Sequence, residues 1–172
     1  MSGIVVRLSS QELHEATCLG QDTDAICQKV MGYTPRDPGS NKVRSEIDGA
    51  RAEYAVAKLF GLGKPTLNIL GDGGKDLWFN GISIDVKFTN TDHLIFDDVD
   101  AFRADVAVLV SSHEDDPCLL TVAGCVSRGE FAASSVPQKR KYGTKLCMRV
   151  EDLAPPEALW RSAMARMVTP GN

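Results

Sequence analysis

The stretch Asp76-Leu77-Trp78-Phe79-Asn80-Gly81-Ile82-Ser83-Ile84-Asp85-Val86-Lys87-Phe88 decides the fold. Polar and apolar residues alternate on both sides of Asn80-Gly81, and Asn-Gly flanked in this way is the strongest short-range hairpin signal. A two-residue turn sets Phe79 opposite Ile82, Trp78 opposite Ser83, Leu77 opposite Ile84 and Asp76 opposite Asp85. Side chains alternate between the faces of a strand, so Leu77, Phe79, Ile82, Ile84, Val86 and Phe88 are expected on a core face. Asp76, Trp78, Ser83, Asp85 and Lys87 are expected on the other. Carboxylates directly opposed at a Cβ separation of about 5 Å destabilise a sheet unless something offsets them. Mg²⁺ would, being a hard ion held by one or two carboxylates with waters and substrate phosphate. Lys87, on the same face, would then orient or deprotonate an attacking water and stabilise charge on a phosphate oxygen. The plainer alternative is a surface hairpin in which Lys87 simply neutralises Asp85.

A third acid lies upstream. Residues Ser45 to Phe60 are rich in alanine and free of proline, and Gly61 is a natural C-terminal stop, which predicts a helix. At about 100° per residue, Arg51 and Lys58 fall on one side, and Glu53 falls with Val56, Ala57 and Phe60 on the opposite side. Glu46 lies one heptad before Glu53. A carboxylate on the apolar side calls for a partner, because glutamate is almost never fully buried alone. A metal site, a lysine or a water cluster would supply one, and so would a structural arginine at the helix boundary.

In order, the chain therefore carries a helix with Glu53, a strand ending in Ile69-Leu70, a glycine-rich link, and the hairpin with Asp76, Asp85 and Lys87. This arrangement resembles the PD-(D/E)XK nuclease superfamily, in which a helix glutamate, an aspartate and a D-x-K or E-x-K triplet assemble one metal site. The matching residues are Glu53 within Gly49-Ala50-Arg51-Ala52-Glu53, then Asp76, then Asp85-Val86-Lys87. The resemblance covers residues 44 to 126. It implies an α/β domain with a restriction-endonuclease-like αβββαβ core, a central mixed sheet flanked by helices, and Mg²⁺-dependent hydrolysis of nucleic-acid phosphodiesters, with Mn²⁺ substituting. It also implies that Asp76, Asp85 and the backbone carbonyl of Val86 hold the ion, that Lys87 activates water, and that Glu53 acts through water or holds Lys87. Lys75 stands where the family usually has a proline. Asp72, in Gly71-Asp72-Gly73-Gly74, competes for the role of first aspartate, although its glycine setting reads better as a turn.

Downstream, Ala104 to Val110 and Cys118 to Val126 read as buried strands, Ser127-Arg128-Gly129-Glu130-Phe131 as a short helix entry, and Thr144 to Val150 as a last strand. At 172 residues and 43% hydrophobic content, the chain is expected to form one domain with a substantial core. No signal-peptide core or bilayer-length apolar run is present, so a soluble, cytoplasmic protein with no membrane partner is expected. The five cysteines include no C-x-x-C pair, which points to free thiols rather than zinc or a disulfide framework. His14 and His113 are expected in ordinary surface roles, with His93, six residues past Lys87, the one placed to approach substrate. Phosphate-loop, dinucleotide-loop, serine-elbow and H-E-x-x-H patterns are all missing.

Net charge is −4, but it is uneven: residues 127–172 hold eight Lys or Arg against four Asp or Glu, leaving −8 for residues 1–126. Lys139-Arg140-Lys141 is expected to be an exposed loop contacting nucleic-acid phosphates. Residues 31–44, with Arg36, Lys42 and Arg44, form a turn-rich link that could face substrate. Asp97, Asp98, Asp100, Glu114, Asp115 and Asp116 are expected in solvated loops. The expectation is a DNA endonuclease, in which cutting both strands would need a homodimer or protein partner. The alternative is a non-catalytic nucleic-acid- or protein-binding member of the same fold.

Overall fold

The Asn80-Gly81 hairpin forms in the expected register, pairing Leu77 with Ile84, Trp78 with Ser83 and Phe79 with Ile82. Asn80 (φ 49°) and Gly81 (φ 78°) both take the left-handed conformation that a type I′ turn demands. The protein is seen in a computed structural model that describes residues 3–31, 42–67, 73–113 and 115–168. The strand expected at Ile69-Leu70, together with Asp72, Arg36 and Glu114, lies outside the described residues.

Strand β1 (Ile4–Arg7) leads into α1 (Ser10–Met31) and α2 (Lys42–Phe60), followed by β2 (Leu77–Phe79), β3 (Ile82–Thr89), β4 (His93–Phe96), β5 (Val106–His113) and β6 (Asp116–Ser127). Helix α3 (Arg128–Ser134), the hairpin β7 (Val136–Arg140) and β8 (Gly143–Arg149), and α4 (Pro156–Val168) complete the chain. The main sheet has the order β1-β6-β5-β3-β2. It is mixed: β3 and β5 run parallel, and the other pairs are antiparallel. A smaller antiparallel sheet has the order β4-β8-β7. The molecule is thus of mixed α/β class, a curled mixed sheet flanked by helices.

The apolar face of the hairpin builds one core. Leu77, Phe79, Ile82, Ile84 and Val86 are buried there against Ala16 of α1, Ala52, Ala55 and Val56 of α2, and Leu159 and Ala163 of α4, with Phe88 at its margin. A second core lies on the opposite face of the main sheet. There Ala107 and Leu109 of β5 meet Leu94 and Phe96 of β4, Met148 of β8, Phe131 of α3 and Phe102. Phe96 stacks on Phe102 with centroids 4.6 Å apart, and Phe131 meets both rings edge-on. The second face of the hairpin is therefore largely covered: Ser83 and Asp85 are buried, while Trp78, opposite Ser83 on β2, stays exposed.

Parallel strands need a crossover of a dozen or more residues. From β3 to β5 that crossover, residues 90–105, contains β4 rather than a helix, because Leu94-Ile95-Phe96 is a short apolar run that pairs with β8. Helix α3 comes later, after β6, and starts with the expected Ser127: its hydroxyl accepts the Glu130 N–H, and the Glu130 carboxylate accepts the Ser127 N–H in return, a capping box. The Ser127 hydroxyl, which donates to the Glu130 carboxylate at 2.6 Å, and the Ser127 N–H hold that carboxyl below the usual range. The five cysteines are free, and Cys125 and Cys147 are buried. Burial pushes the Cys125 thiol up to about 11.

Candidate functional site

Strand β2 ends one step short of the expected Asp76–Asp85 pair. The Asp76 N–H donates to the Ile84 carbonyl at 2.8 Å. The Asp76 carboxylate turns into the sheet edge, where its Oδ2 accepts the Val86 N–H at 2.6 Å. A side chain thus takes over where the backbone ladder stops, placing a carboxylate beside Val86 on the open edge of β3. This corrects the expectation of two acids squarely opposed across a ladder, and it shows how the fold itself lowers their repulsion.

Asp85, on the second face of β3, is 1% exposed. Its carboxylate meets Lys87 Nζ at 2.5 Å. Lys87 also lies 5.1 Å from the ring centroid of Phe96, so the small sheet supplies the floor on which the ammonium rests. Gly74, at φ 80°, brings the preceding loop over Asp85: a Cβ there would lie 4.0 Å from Asp85 Oδ2. The coverage explains why this carboxylate, expected on the face away from the hairpin's core, is buried.

Glu53 is half-buried on α2. Phe60, one heptad later, packs on Phe79 of β2 with centroids 5.5 Å apart. At the other end of the helix, Arg44, Asp48 and Arg51 line a cavity together with Thr89, the last residue of β3. Helix α2 therefore runs antiparallel to β3. Seven helical residues back from Phe60 is about 10 Å, and three strand residues on from Ile82 is about 10 Å. Both steps arrive at one level, so Glu53 stands at the height of Asp85 and Val86, the level at which the β2 edge of the sheet ends. Asp76 occupies that edge, and Asp85 and Lys87 reach out from the opposite face of β3.

Among the described residues, no group of three or more His, Cys, Asp or Glu side chains is arranged to hold a metal ion. Glu53, Asp76 and Asp85 do not close into a three-carboxylate cage. What does fit Mg²⁺ is the donor chemistry, two carboxylates and a backbone carbonyl, all hard oxygens, in keeping with an ion that retains most of its waters.

The basic segment is not a loop. Lys139 and Arg140 end β7, and Lys141-Tyr142 forms the turn into β8. The reason is that Val136 to Arg140 pairs residue for residue with Gly143 to Cys147. Lys139 is exposed, and Lys141 Nζ lies 4.8 Å from the Tyr142 ring centroid. Arg140 is half-buried and donates to Gln138 Oε1 at 3.0 Å. The turn leads into β8, the strand that pairs Leu146 with Phe96, and lies about 10 Å from that pair. His93 is engaged with Asp92 through Nδ1 at 2.6 Å and faces Gln138 through Nε2 at 3.3 Å. In the acidic stretch, Asp97, Asp100 and Asp116 are paired with Lys145, Arg128 and Arg7.

Sequence reading passed over Phe96 and Asp105. The Asp105 carboxylate accepts both the N–H and the Oγ–H of Ser83 at 2.8 Å, which pulls its pKa below the usual range and ties the start of β5 to the hairpin. No local signal marks that role, since it arises from the parallel pairing of β3 with β5. Comparison with protein-family models, with curated proteins and with solved structures found no match.

Proposed function

We propose that the protein is a metal-dependent nuclease acting on DNA, with α2, the β2–β3 hairpin and the parallel strand β5 as its restriction-endonuclease-like core. The observation that carries this reading is that, where β2 stops, consecutive residues of β3 bring together a carboxylate bound to the Val86 N–H and the buried Asp85 carboxylate in contact with an ammonium. Asp76, Asp85 and the Val86 carbonyl would hold Mg²⁺, which lowers the pKa of a bound water and offsets phosphate charge. Lys87 Nζ orients the attacking water and stabilises the negative charge developing on a phosphate oxygen, in a setting where water is partly excluded and a donor counts for more. Glu53, level with Val86, orients Lys87 or a water. The Lys139–Lys141 hairpin end offers positive charge for the phosphate backbone. In the test, Asp76→Asn and Asp85→Asn, each close to isosteric, lose Mg²⁺-dependent cleavage while keeping the wild-type circular dichroism spectrum. Wild-type cleavage by both would end this assignment.

One observation favours a second reading, a non-catalytic nucleic-acid- or protein-binding protein. Each carboxylate already has a partner in the fold, Asp76 the Val86 N–H and Asp85 the Lys87 ammonium. Metal-independent DNA binding by a folded, non-cutting wild type, unchanged in an Asp76→Ala, Asp85→Ala double variant, would establish it.

A further inference from the structure

A cavity of about 500 Å³ opens where α2 crosses the carboxyl ends of the two parallel strands. Arg44, Asp48 and Arg51 line it from α2, Thr89 from the end of β3, and Ser111 and His113 from the end of β5. Its size is in the range of small-ligand sites, and the crevice outside the carboxyl ends of parallel strands is where open α/β sheets bind ligands. The lining is rich in hydrogen-bond donors. Arg51 is only 8% exposed, and Asp48 Oδ1 at 2.7 Å and the Pro117 carbonyl hold its two terminal nitrogens. Its remaining donor, Nε, is buried with no hydrogen-bond partner. A buried guanidinium donor without an acceptor is costly unless an acceptor arrives. Arg44, its side chain 80% exposed, comes within 3.9 Å of the same Asp48, so one carboxylate gathers two guanidiniums at the wall. Among the described lining residues, two arginines stand against one aspartate, a balance of positive charge.

We propose that this cavity binds a phosphate monoester, with Arg51 and Arg44 taking its oxygens and the hydroxyls at the ends of β3 and β5 completing the shell. Planar guanidinium forks match phosphate oxygens in charge and geometry. Two sources present that group, the phosphorylated end of a nucleic-acid strand and a free mononucleotide. Thr89 lies two residues beyond Lys87 on β3, about 7 Å along the strand, so a strand end held here would run toward Lys87. The binding itself does not rest on the nuclease reading.

The experiment measures binding to the full wild-type chain in EDTA, where cleavage plays no part. The probes are one oligonucleotide sequence with a 5′-phosphate, a 3′-phosphate or hydroxyl ends, deoxyadenosine monophosphate, and inorganic phosphate. At least tenfold tighter binding of a phosphorylated oligonucleotide than of its hydroxyl-ended form, competed by inorganic phosphate, supports the site and assigns it to a strand end. Binding of the mononucleotide without an end preference supports it as a nucleotide site. Arg44→Ala, and Thr91→Glu, which sets a carboxylate in the cavity wall from an exposed position, are expected to remove the preference while leaving the fold intact. Equal binding of all oligonucleotide ends with no binding of either small probe would overturn the proposal, and so would a preference that survives both variants. Loss of metal-dependent cutting elsewhere would leave these outcomes unaffected.

Discussion

Lys87 and Asp85 carry opposite obligations, one to the fold and one to the proposed chemistry. Asp85 is almost wholly buried, and its contact with the ammonium, half-exposed on the Phe96 ring, compensates that burial. Lys87→Ala leaves the carboxylate without that partner and is expected to cost about 2–3 kcal/mol, read as a fall in the urea midpoint. Removing both charges, as Asp85→Asn with Lys87→Met, is expected to cost less than the two single changes added together. Strict additivity would mean that the pair contributes nothing as a pair. Such a loss is a fraction of the stability of a typical domain, so Lys87→Ala remains testable for activity in the cold. At this scale the sequence was informative about which residues matter and poor on their exposure. The alternation around Asn80-Gly81 assigns Asp85 and Lys87 to the non-core face, and they are there. That this face lies under β4 and the loop at Gly74 follows from a second sheet that no feature of the hairpin announces.

Between elements, the α1–α2 contact is tight enough to depend on one missing methyl. A Cβ on Gly20 would fall 2.5 Å from Ile47 Cα and 2.6 Å from its nitrogen, both backbone atoms that cannot swing away. Gly20→Ala is expected to push the helices apart and cost about 1–3 kcal/mol, seen as a lower midpoint of thermal or urea unfolding. The same contact is laced by Lys58 with Glu12 at 2.7 Å and Lys64 with Glu15 at 2.8 Å. The Lys58 ammonium and the Ser9 N–H hold the Glu12 carboxyl at about 2, and Lys64 lowers that of Glu15. Since these groups are more acidic folded than unfolded, the folded state binds fewer protons, and their stabilisation is complete above about pH 4.5 and lost as pH falls toward 2. A Lys58→Met variant is expected to show a shallower decline of unfolding midpoint between pH 5 and pH 3 than the wild type. An identical decline would assign the acid sensitivity elsewhere. Helix α2 was legible because alanine, the missing proline and Gly61 agree. The sequence set Arg51 on one side with Lys58 but gave no sign of its burial, which depends on the start of β6 bringing the Pro117 carbonyl to it. Helix α1 was not read at all. Its apolar positions Ala16 and Leu19 are sparse among charged and small residues, and its packing partner, the small-residue face of α2, is a tertiary matter.

At the scale of the molecule, two cores on either side of one mixed sheet leave the β2 edge open at the level of Val86, and the candidate site is what lies at that opening. The mixed α/β class expected from the sequence is met, but β4 went unread, because periodicity in residues 90–105 is too short to distinguish the strand that founds the second sheet. The uneven charge bears on partners. If the Lys139–Lys141 hairpin end meets the phosphate backbone, Lys139→Ala with Lys141→Ala should weaken DNA binding and reduce the slope of log K against log salt by about 2, an effect that an unchanged slope would rule out. The activity proposed for the molecule is metal-dependent phosphodiester hydrolysis at Asp76, Asp85 and Lys87. Its most direct test is incubation of supercoiled plasmid and of branched and single-stranded oligonucleotides with Mg²⁺, Mn²⁺ or EDTA, comparing wild type with folded Lys87→Ala. The expected result is cutting by the wild type with either metal, none in EDTA, and a loss of about a hundredfold or more in the variant. Folded wild type that leaves every substrate intact, or Lys87→Ala that cuts as fast as wild type, would contradict it.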